Sequence, residues 1–256
     1  MENNWHVDKK GEFTSYWRDE ELTSSSSPYI SIKCTEIASG KKHLIDADII
    51  VETMYDIHIN GSHIDSFLAS PDQLKELAVG YLICEGHITT LDNILSLKIL
   101  DGTIQCEVVE GSEGQCREHD PDVCISSNVI FDLMDHIRKH GVTWRRTGGT
   151  HSSIVSDMTG NIVTFCEDVS RASSVDKAVG KAILDGADLS RCVLITTGRL
   201  SVTMVTKVAN AGFPLVASKA APLSGGLELA KEKDITLVAF VRRPNMYIYT
   251  GEQRIV

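Results

Sequence analysis

From Cys192 to Val241 the chain reads CVLITTGRLSVTMVTKVANAGFPLVASKAAPLSGGLELAKEKDITLVAFV, and no other part of it has so regular a pattern. Three apolar runs, CVLIT, FPLVAS and ITLVAFV, alternate with two stretches typical of amphipathic helices. Strands that are joined by helices run parallel and are buried on both faces, so their residues are almost wholly apolar. The segment therefore predicts the parallel centre of an α/β sheet.

The composition of the whole chain limits the classes of ligand. Its 256 residues, 42% of them hydrophobic, are enough for the core of one or two domains. Lys and Arg number 25 against 35 Asp and Glu, and a surface with this formal net charge of −10 repels nucleic acid and anionic membranes. No apolar run is long enough to span a bilayer, and the N-terminus lacks the apolar core of a signal peptide. We therefore expect a cytoplasmic protein with neither nucleic acid nor a membrane as a partner.

The remaining sequence predicts three parts. Residues 1–28 end in TSSSSP and are predicted to be a polar N-terminal arm. Residues 29–122 contain several alternating apolar and polar runs and predict a β-rich domain with a cysteine-bearing loop. This domain contains one helix, for which Ser70 is the expected N-cap and Pro71 the first helical residue. Residues 123–256 then form the predicted α/β domain.

Three loops of the α/β domain are candidates for a binding site. Ligands of parallel sheets bind beyond the carboxyl ends of the strands, where helix N-termini offer free N–H groups. The loops TTGRLS (196–201), KAAPLSGG (219–226) and FVRRPN (240–245) follow such ends. They carry Arg199, Lys219, Arg242 and Arg243, which either form one anion pocket or are solvated side chains of ordinary loops. None of the loops matches the P-loop or the Gly-x-Gly-x-x-Gly fingerprint, so a standard nucleotide fold is not predicted.

A second candidate site lies around the turn RTGGTHSS (146–153). His151 could act there as a proton donor or as a phosphate partner, or its ring nitrogens could simply bond to nearby backbone. Further along, Glu167 and Asp168 precede Arg171, Asp176 and Lys177 in EDVSRASSVDK. For this group we favour an internal ion-pair network that holds the start of a helix, predicted from about Ser174, over acid–base catalysis.

The seven cysteines do not predict a metal site. No Cys-x-x-Cys pair occurs, so a zinc ribbon or a dithiol redox pair is not predicted, and most of the thiols are expected to be small buried side chains. Cys116, His119 and Cys124 could share a metal only with a non-standard spacing. The His-x-Glu and Pro-Cys-x-x-Cys motifs of zinc deaminases are also absent.

Four motifs occur in one order along most of the chain. They are VETMYDIHINGSHIDSFLASPDQLKELAVGYLICEGHI (51–88), TGGTHSS (147–153), EDVSRASSVDKAVGKAI (167–183) and the segment from TTGRLS to EQRI (196–255). Together they resemble the formate dehydrogenase accessory protein family, the FdhD/NarQ sulfur-carrier proteins. The resemblance runs from about Ile49 to Val256.

The resemblance implies both a fold and a function. It implies a cytidine-deaminase-like three-layer α/β core without deaminase chemistry, in a homodimer. Such proteins take persulfide sulfur from a cysteine desulfurase and pass it to the molybdenum or tungsten bis-molybdopterin guanine dinucleotide cofactor of a formate dehydrogenase apoprotein. The cofactor-binding residues implied here are Phe240, Val241, Arg242, Arg243, Pro244 and Asn245. To these we add Arg199 of the anion pocket and His151 of the RTGGTHSS turn.

The sequence departs from the family pattern at the cysteine loop. Where the family has Cys-Gly-x-Cys-Gly, this chain reads GQCREHDPDVC, and only Cys116 or Cys124 can stand in for the persulfide cysteine. Cys116 lies in a polar loop that favours access, although neighbouring acids would raise its pKa; Cys124 precedes a helix start, whose dipole lowers a thiol pKa. We favour Cys116. Two alternatives stay open: a cofactor-binding chaperone without sulfur transfer, and a small-molecule enzyme that uses His151, Glu167 and Asp168.

Overall fold

The computed structural model describes residues 3–7, 13–15, 27–112, 114 and 117–256. Its strands are, in chain order, β1 (Asn3–Val7), β2 (Phe13–Ser15), β3 (Tyr29–Ala38), β4 (Lys41–Ile50), β5 (Thr53–Ile59), β6 (Ser62–Ala69), β7 (Ile94–Leu100), β8 (Thr103–Val108), β9 (His151–Asp157), β10 (Ile162–Asp168), β11 (Cys192–Thr196), β12 (Leu215–Ser218), β13 (Thr236–Arg242) and β14 (Asn245–Thr250). Its α-helices are α1 (Leu74–Cys84), α2 (Ser127–His140), α3 (Val142–Thr147), α4 (Arg171–Leu184), α5 (Val202–Ala211) and α6 (Ser224–Glu232).

The segment Cys192–Val241 forms the parallel centre of a mixed sheet, as its apolar runs predict. The strand order is β10-β9-β11-β12-β13-β14, in which β11 pairs parallel with β12 and β12 pairs parallel with β13. β9 is antiparallel to both β10 and β11, and β14 is antiparallel to β13. The α/β prediction is confirmed, with parallel pairing limited to the three central strands.

A second mixed sheet comes from the N-terminal part of the chain. Its order is β2-β1-β7-β8-β5-β6, with β5 and β8 parallel and the other neighbours antiparallel. β1 and β2 lie within the predicted polar arm; β1 pairs with β7, and β2 pairs with β1. The predicted domain boundary after residue 122 falls between β8 and α2.

Helices α1 and α4 pack between the two sheets and cross in close contact. A Cβ on Gly80 would lie 1.7 Å from the carbonyl oxygen of Asp176, and a Cβ on Gly180 would lie 1.9 Å from that of Glu76. Only glycine permits such an approach of two helix backbones. Around the crossing, apolar side chains of both sheets, α1, α4 and α5 form one core, to which α4 contributes Val175, Ala178, Val179 and Ile183.

Helix α2 covers the other face of the β9–β14 sheet. Ser126 is its N-cap, with the side-chain oxygen accepting the N–H of Asn128 at 3.3 Å, and Gly141 ends it. Four of its apolar residues are buried against the sheet: Ile130, Leu133, Met134 and Ile137. The side chains of α2 thus form one wall of any site on this face.

Two buried lysines join the two parts of the molecule. Lys177 on α4 lies 2.7 Å from Asp168, with both side chains fully buried, and 2.9 Å from Asp72. Lys207 on α5 lies 2.8 Å from Asp176 and 2.6 Å from Glu85. Buried charges are tolerated only when they are paired, so each lysine fixes the helices around it. This arrangement fits the ion-pair network predicted for residues 167–177.

Strands β3 and β4 form a separate two-stranded ribbon. One face of the ribbon is anchored on α3, where Arg146 bonds to Asp48 and to the Tyr29 hydroxyl. Gly149 also faces the ribbon, since a Cβ there would lie 2.6 Å from Cγ2 of Ile50. The opposite face is apolar, and four isoleucines on it are each more than a third exposed: Ile30, Ile32, Ile45 and Ile49.

Two local predictions need correction. Helix α1 begins at Leu74 with Gln73 as its N-cap, so Ser70 does not cap it and Pro71 is not its first residue. Ser70 bonds instead across the fold: its N–H donates to Asp168 at 3.0 Å, and its hydroxyl oxygen accepts the N–H of Val169 at 3.1 Å. Helix α4 begins at Arg171, three residues before the predicted start, because Ser170 caps it by accepting the N–H of Ser173.

Candidate functional site

A cavity opens at the carboxyl ends of β11 and β13, where the parallel-sheet rule places a ligand. Its volume is about 540 Å³. One wall is the C-terminal half of α2 and the other is the loop after β13, with α3 and β9 at the rim. The lining residues are Phe131, Met134, Asp135, Ile137, Arg138, Trp144, Thr150, Ser152, Thr197, Lys219, Val241, Arg242, Arg243 and Pro244. Apolar walls with a few cations at the mouth suit a ligand that has both a ring system and negative charge.

Carboxylates of α2 partly neutralise the cations of this cavity. Arg243 lies 2.6 Å from Asp132 and 3.6 Å from Asp135, and its guanidinium is 5.0 Å from the ring centre of Phe131. Arg138 lies 3.5 Å from the same Asp135. Arg243 is thus held in place by α2, with its charge shared among acids.

Lys219 and Arg242 have a different environment. Among the described residues neither forms an ion pair; Lys219 contacts the face of Trp144, with Nζ 5.7 Å from the ring centre. Partial burial lowers the pKa of Lys219, and the charge of Arg242 lowers it further. Two cations that repel each other at the mouth of a cavity attract an anion.

A smaller cavity of about 320 Å³ adjoins the first and contains His151. It shares Trp144, Thr150, Thr197 and Lys219 with the larger one and adds Gly148, Gly149, His151 and Val169. His151 Nδ1 lies 3.0 Å from the Thr197 hydroxyl, which also accepts the N–H of Ser152 at 3.1 Å. Burial lowers the pKa of His151, and the charges of Arg171 and Lys219 lower it further, which favours the neutral ring.

The acids after β10 belong to the scaffold. The Glu167 carboxylate accepts the N–H groups of Thr143 and Trp144 at 2.9 and 2.8 Å, and the Thr150 hydroxyl at 3.1 Å. It therefore caps α3 and fixes the position of Trp144. Asp168 is buried against Lys177. The small-molecule-enzyme alternative, in which these two acids act on a substrate, has no support from this geometry.

Only some of the site residues predicted from the sequence line the cavity. Val241, Arg242, Arg243 and Pro244 line it, whereas Phe240 and Asn245 lie outside both cavities. Phe240 has a φ of 53° and its ring packs edge-on against Tyr247. Arg199 is exposed in the loop after β11 and lines neither cavity.

Sequence reasoning did not identify Trp144 or the apolar wall of the site. The short helix α3 that carries Trp144 gave no periodic signal within six residues. Met134 and Ile137 belong to the core beneath α2, and both also line the cavity. The RTGGT turn after α3 was the one available signal, since Gly148 ends that helix with a φ of 69°.

The family of the chain follows from its match to known proteins. The model of the FdhD/NarQ family matches residues 50–120 and 104–256, which together are most of the sequence. The chain belongs to the FdhD/NarQ family. It is 36% identical to the sulfur carrier protein FdhD of Methanothermobacter thermautotrophicus over 78% of this chain and 88% of that one. It is 29% identical to the sulfur carrier protein FdhD of Shouchella clausii, over 85% of this chain and 93% of that one.

A solved structure shares the fold of this FdhD/NarQ chain. It comes from Desulfotalea psychrophila and is described as a candidate formate dehydrogenase accessory protein. The two are 27% identical with a TM-score of 0.79, over 90% of this chain and all of that one. In the described part of this chain, no helix combines the length and the apolar composition needed to cross a membrane.

Cys116, the residue predicted from the resemblance as the persulfide carrier, lies outside the described residues. The residues after it run along the amino ends of the parallel strands: Arg117 donates its N–H to Asn210 at 3.4 Å, and Asp120 donates to Ser190 at 3.1 Å. Cys124 is exposed at the same end, just before α2. The described segment that follows Cys116 and the large cavity therefore lie at opposite ends of the sheet.

The other thiols of the FdhD/NarQ chain are less suited to sulfur chemistry. Cys84, Cys106, Cys166 and Cys192 are buried, and Cys34 is half-buried on the β3–β4 ribbon. Burial raises the pKa of Cys106 and Cys166 to about 12 and that of Cys192 to about 11. A thiol with such a pKa is almost never a thiolate at neutral pH. Of the described cysteines, only Cys124 is exposed.

Proposed function

We propose that this chain is a sulfur carrier for the maturation of a formate dehydrogenase. Membership of the FdhD/NarQ family supports the role, and the cavity at the strand ends is the observation that carries it. In this role a cysteine desulfurase supplies persulfide sulfur, and a molybdenum or tungsten bis-molybdopterin guanine dinucleotide cofactor receives it. The cofactor is the cargo of the protein, and the formate dehydrogenase apoprotein is its destination. We place these steps in the cytoplasm.

The chemistry of the cavity fits such a cargo. A guanine ring requires flat apolar surfaces, which Phe131, Met134 and Trp144 provide. Its phosphates require cations, which Arg242, Arg243 and Lys219 provide. The net charge of the whole chain is −10, so this cluster of cations is a local departure from the average surface. The predicted cytidine-deaminase-like description of the core remains a prediction from the resemblance.

Sulfur loading requires a single displacement at the carrier cysteine. Its thiolate attacks the terminal sulfur of the desulfurase persulfide, the bond within that persulfide breaks, and the desulfurase leaves as a thiolate. The carrier then holds the sulfur as Cys–S–SH. We assign this role to Cys116, with Cys124 as the second candidate because it is exposed and precedes a helix start.

We further propose that the protein works as a homodimer. The apolar face of the β3–β4 ribbon supports this, because a two-stranded ribbon with exposed isoleucines is marginally stable alone in water. The ribbon is anchored on α3, which also supplies Trp144 to the cavity. A second protomer on this face would therefore lie beside the cofactor site.

One feature favours a second function, a cofactor-binding chaperone without sulfur transfer. The loop around Cys116 has a single cysteine where the family pattern has two. A chaperone would need the cavity and no reactive thiol. It would use the same residues to hold the cofactor, so only a measurement of sulfur separates the two functions.

The test is sulfur loading. The purified protein is incubated with an active cysteine desulfurase and labelled cysteine, and labelled persulfide is located by mass spectrometry under non-reducing conditions. We expect label on Cys116 that is lost in Cys116→Ser and kept in Cys124→Ser. Cys166→Ser is the matched control, because Cys166 is buried. Absence of label on every cysteine would reject the carrier role and leave the chaperone.

A further inference from the structure

Two histidines lie one turn apart near the C-terminal end of α2. His136 and His140 are separated by four positions, so their side chains are neighbours on one side of the helix. Their rings stack, with centroids 3.9 Å apart and planes inclined by 21°. A metal–imidazole bond is about 2 Å long, so two rings at this separation are within the span of one ion.

A hydrogen bond fixes the orientation of the His140 ring. Its Nδ1 lies 3.1 Å from the backbone carbonyl oxygen of His136, and because a carbonyl oxygen only accepts, Nδ1 carries the hydrogen. The lone pair of the neutral ring is therefore on Nε2. Histidines that bind metals commonly donate their other ring N–H to a backbone carbonyl in this way, which fixes the tautomer and the ring orientation.

The His136 ring is partly buried and packs edge-on against Phe165, with centroids 6.0 Å apart. Burial lowers the pKa of His136, and the charges of His140 and Lys139 lower it further. A lowered pKa favours the neutral imidazole, which is the form that binds a metal ion. The two rings therefore present neutral nitrogen ligands side by side.

A small cavity beside His136 leaves room for water ligands. Its volume is about 210 Å³, and it is lined by Val129, Asp132, Leu133, His136, Thr159, Gly160 and Ile162. Asp132, one turn before His136, is paired with Arg243. No group of three metal-ligating side chains occurs among the residues that the structure describes, so an ion here would have two protein ligands and water.

We propose that His136 and His140 form a two-imidazole site for a divalent transition-metal ion such as Ni²⁺, Cu²⁺ or Zn²⁺. Imidazole suits these ions, whereas Mg²⁺ and Ca²⁺ prefer oxygen ligands. The negative end of the α2 dipole also favours a cation at this end of the helix. An ion bound to both rings ties together the last two turns of α2, whose Ile137 and Arg138 line the large cavity.

The probe is Ni²⁺, titrated by calorimetry into a parent protein that carries Cys116→Ser and Cys124→Ser, so that neither candidate carrier thiol competes for the ion. We expect His140→Ala and His136→Gln each to weaken Ni²⁺ binding by about tenfold or more, because one of two protein ligands is lost. His43→Ala is the matched control, since His43 is exposed on the β3–β4 ribbon, and it should bind Ni²⁺ as the parent does. Mg²⁺ should not compete.

Thermal melting gives a second measurement. An ion that binds the folded helix stabilises it, so Ni²⁺ should raise the melting temperature of the parent and of His43→Ala, but not that of His140→Ala. His140 is exposed, so its replacement leaves the fold intact. The proposal is wrong if the parent binds no Ni²⁺, or if His140→Ala and His136→Gln bind it as tightly as the parent.

Discussion

At the scale of single residues, the two adjacent arginines after β13 differ in their surroundings. Arg243 is held by Asp132 and Asp135 of α2, whereas Arg242 forms no ion pair among the described residues. Both are exposed, as the sequence predicts for a strand-end loop. The pair can therefore be removed with little effect on the fold.

We expect Arg242→Ala combined with Arg243→Ala to weaken GDP binding by at least tenfold, because two cations leave the mouth of the cavity. The free energy of unfolding should change by about 1 kcal/mol or less, since surface ion pairs contribute little. Calorimetry and thermal melting measure the two quantities. Arg191→Ala, at the amino end of β11, is the control. Unchanged GDP affinity in the double variant would contradict the proposal that the ligand binds in this cavity.

The sequence predicts which charged side chains follow the strand ends, but it does not predict the hydrogen-bond partners of residues that are far apart in the chain. The loop cations Lys219, Arg242 and Arg243 could be predicted, because strand ends are recognisable from apolar runs. Ser70 could not be placed correctly, since its partner Asp168 is 98 positions away and outweighs local capping preference. The sequence also cannot show whether an apolar residue such as Met134 fills a core or lines a cavity, because either role needs the same side chain.

At the scale of elements, the crossing of α1 and α4 depends on two glycines. We expect Gly80→Ala to destabilise the protein by about 3 kcal/mol or more, because its Cβ would lie 1.7 Å from a backbone oxygen of α4. Urea denaturation gives the difference.

The matched control for the crossing is Gly225→Ala in α6. A Cβ there would meet Val202 at an ordinary 3.4 Å, and alanine favours a helix, so the variant should be as stable as the wild type or slightly more stable. Similar melting temperatures for Gly80→Ala and Gly225→Ala would show that the helices can separate without cost.

The β9–β10 hairpin gives a prediction on pH. Partial burial acts to raise the pKa of Asp157, but hydrogen bonds from Asn161 and Thr159 outweigh it and lower the pKa to about 2. A lowered carboxyl pKa stabilises the folded state above the unfolded pKa of about 4, and that stability is lost as pH falls toward 2. Asp157→Asn should therefore be less stable than the wild type at pH 7, with a difference that shrinks between pH 4 and pH 2.

Urea unfolding at several pH values measures this effect. The control is Asp185→Asn, at the exposed C-terminal end of α4. If the stability difference between Asp157→Asn and wild type stayed constant from pH 7 to pH 3, ionisation of Asp157 would not stabilise the turn.

At the scale of the whole molecule, Lys177 connects the two sheets. It lies on α4, which follows β10 of the C-terminal sheet, yet it bonds to Asp72 and to the carbonyl of Ser70, which follow β6 of the N-terminal sheet. With Asp168 it forms a fully buried ion pair. Removing one partner of such a pair leaves the other charge buried and unpaired.

We expect Lys177→Met to lower the free energy of unfolding by about 3 to 5 kcal/mol, because the charge of Asp168 would be left buried and unpaired. Lys181→Met, one turn further along α4 and only partly buried, should change it by about 0.5 kcal/mol or less. Chemical denaturation compares the two variants. An equal effect of both would mean that Lys177 contributes only as one more helical residue.

The overall architecture could be predicted where the pattern of apolar residues is typical of one type of secondary structure. The apolar runs from Cys192 to Val241 predict the parallel centre because each run is buried on both faces. The antiparallel edge β14 and the ribbon β3–β4 were harder to place, because exposed strands lack that signal. The site itself depends on α2, α3 and two sheet strands that meet only in the folded chain.

The most direct test is whether the protein delivers sulfur to the cofactor of a formate dehydrogenase. The protein is first loaded with labelled persulfide, then supplied with the guanine dinucleotide cofactor and a formate dehydrogenase apoprotein, and formate oxidation is measured. We predict that wild type activates the dehydrogenase, that Cys116→Ser does not, and that Arg242→Ala with Arg243→Ala loads sulfur normally but fails to activate. Activation by the arginine variant at the wild-type rate would contradict the claim that cofactor is held at the strand-end cavity.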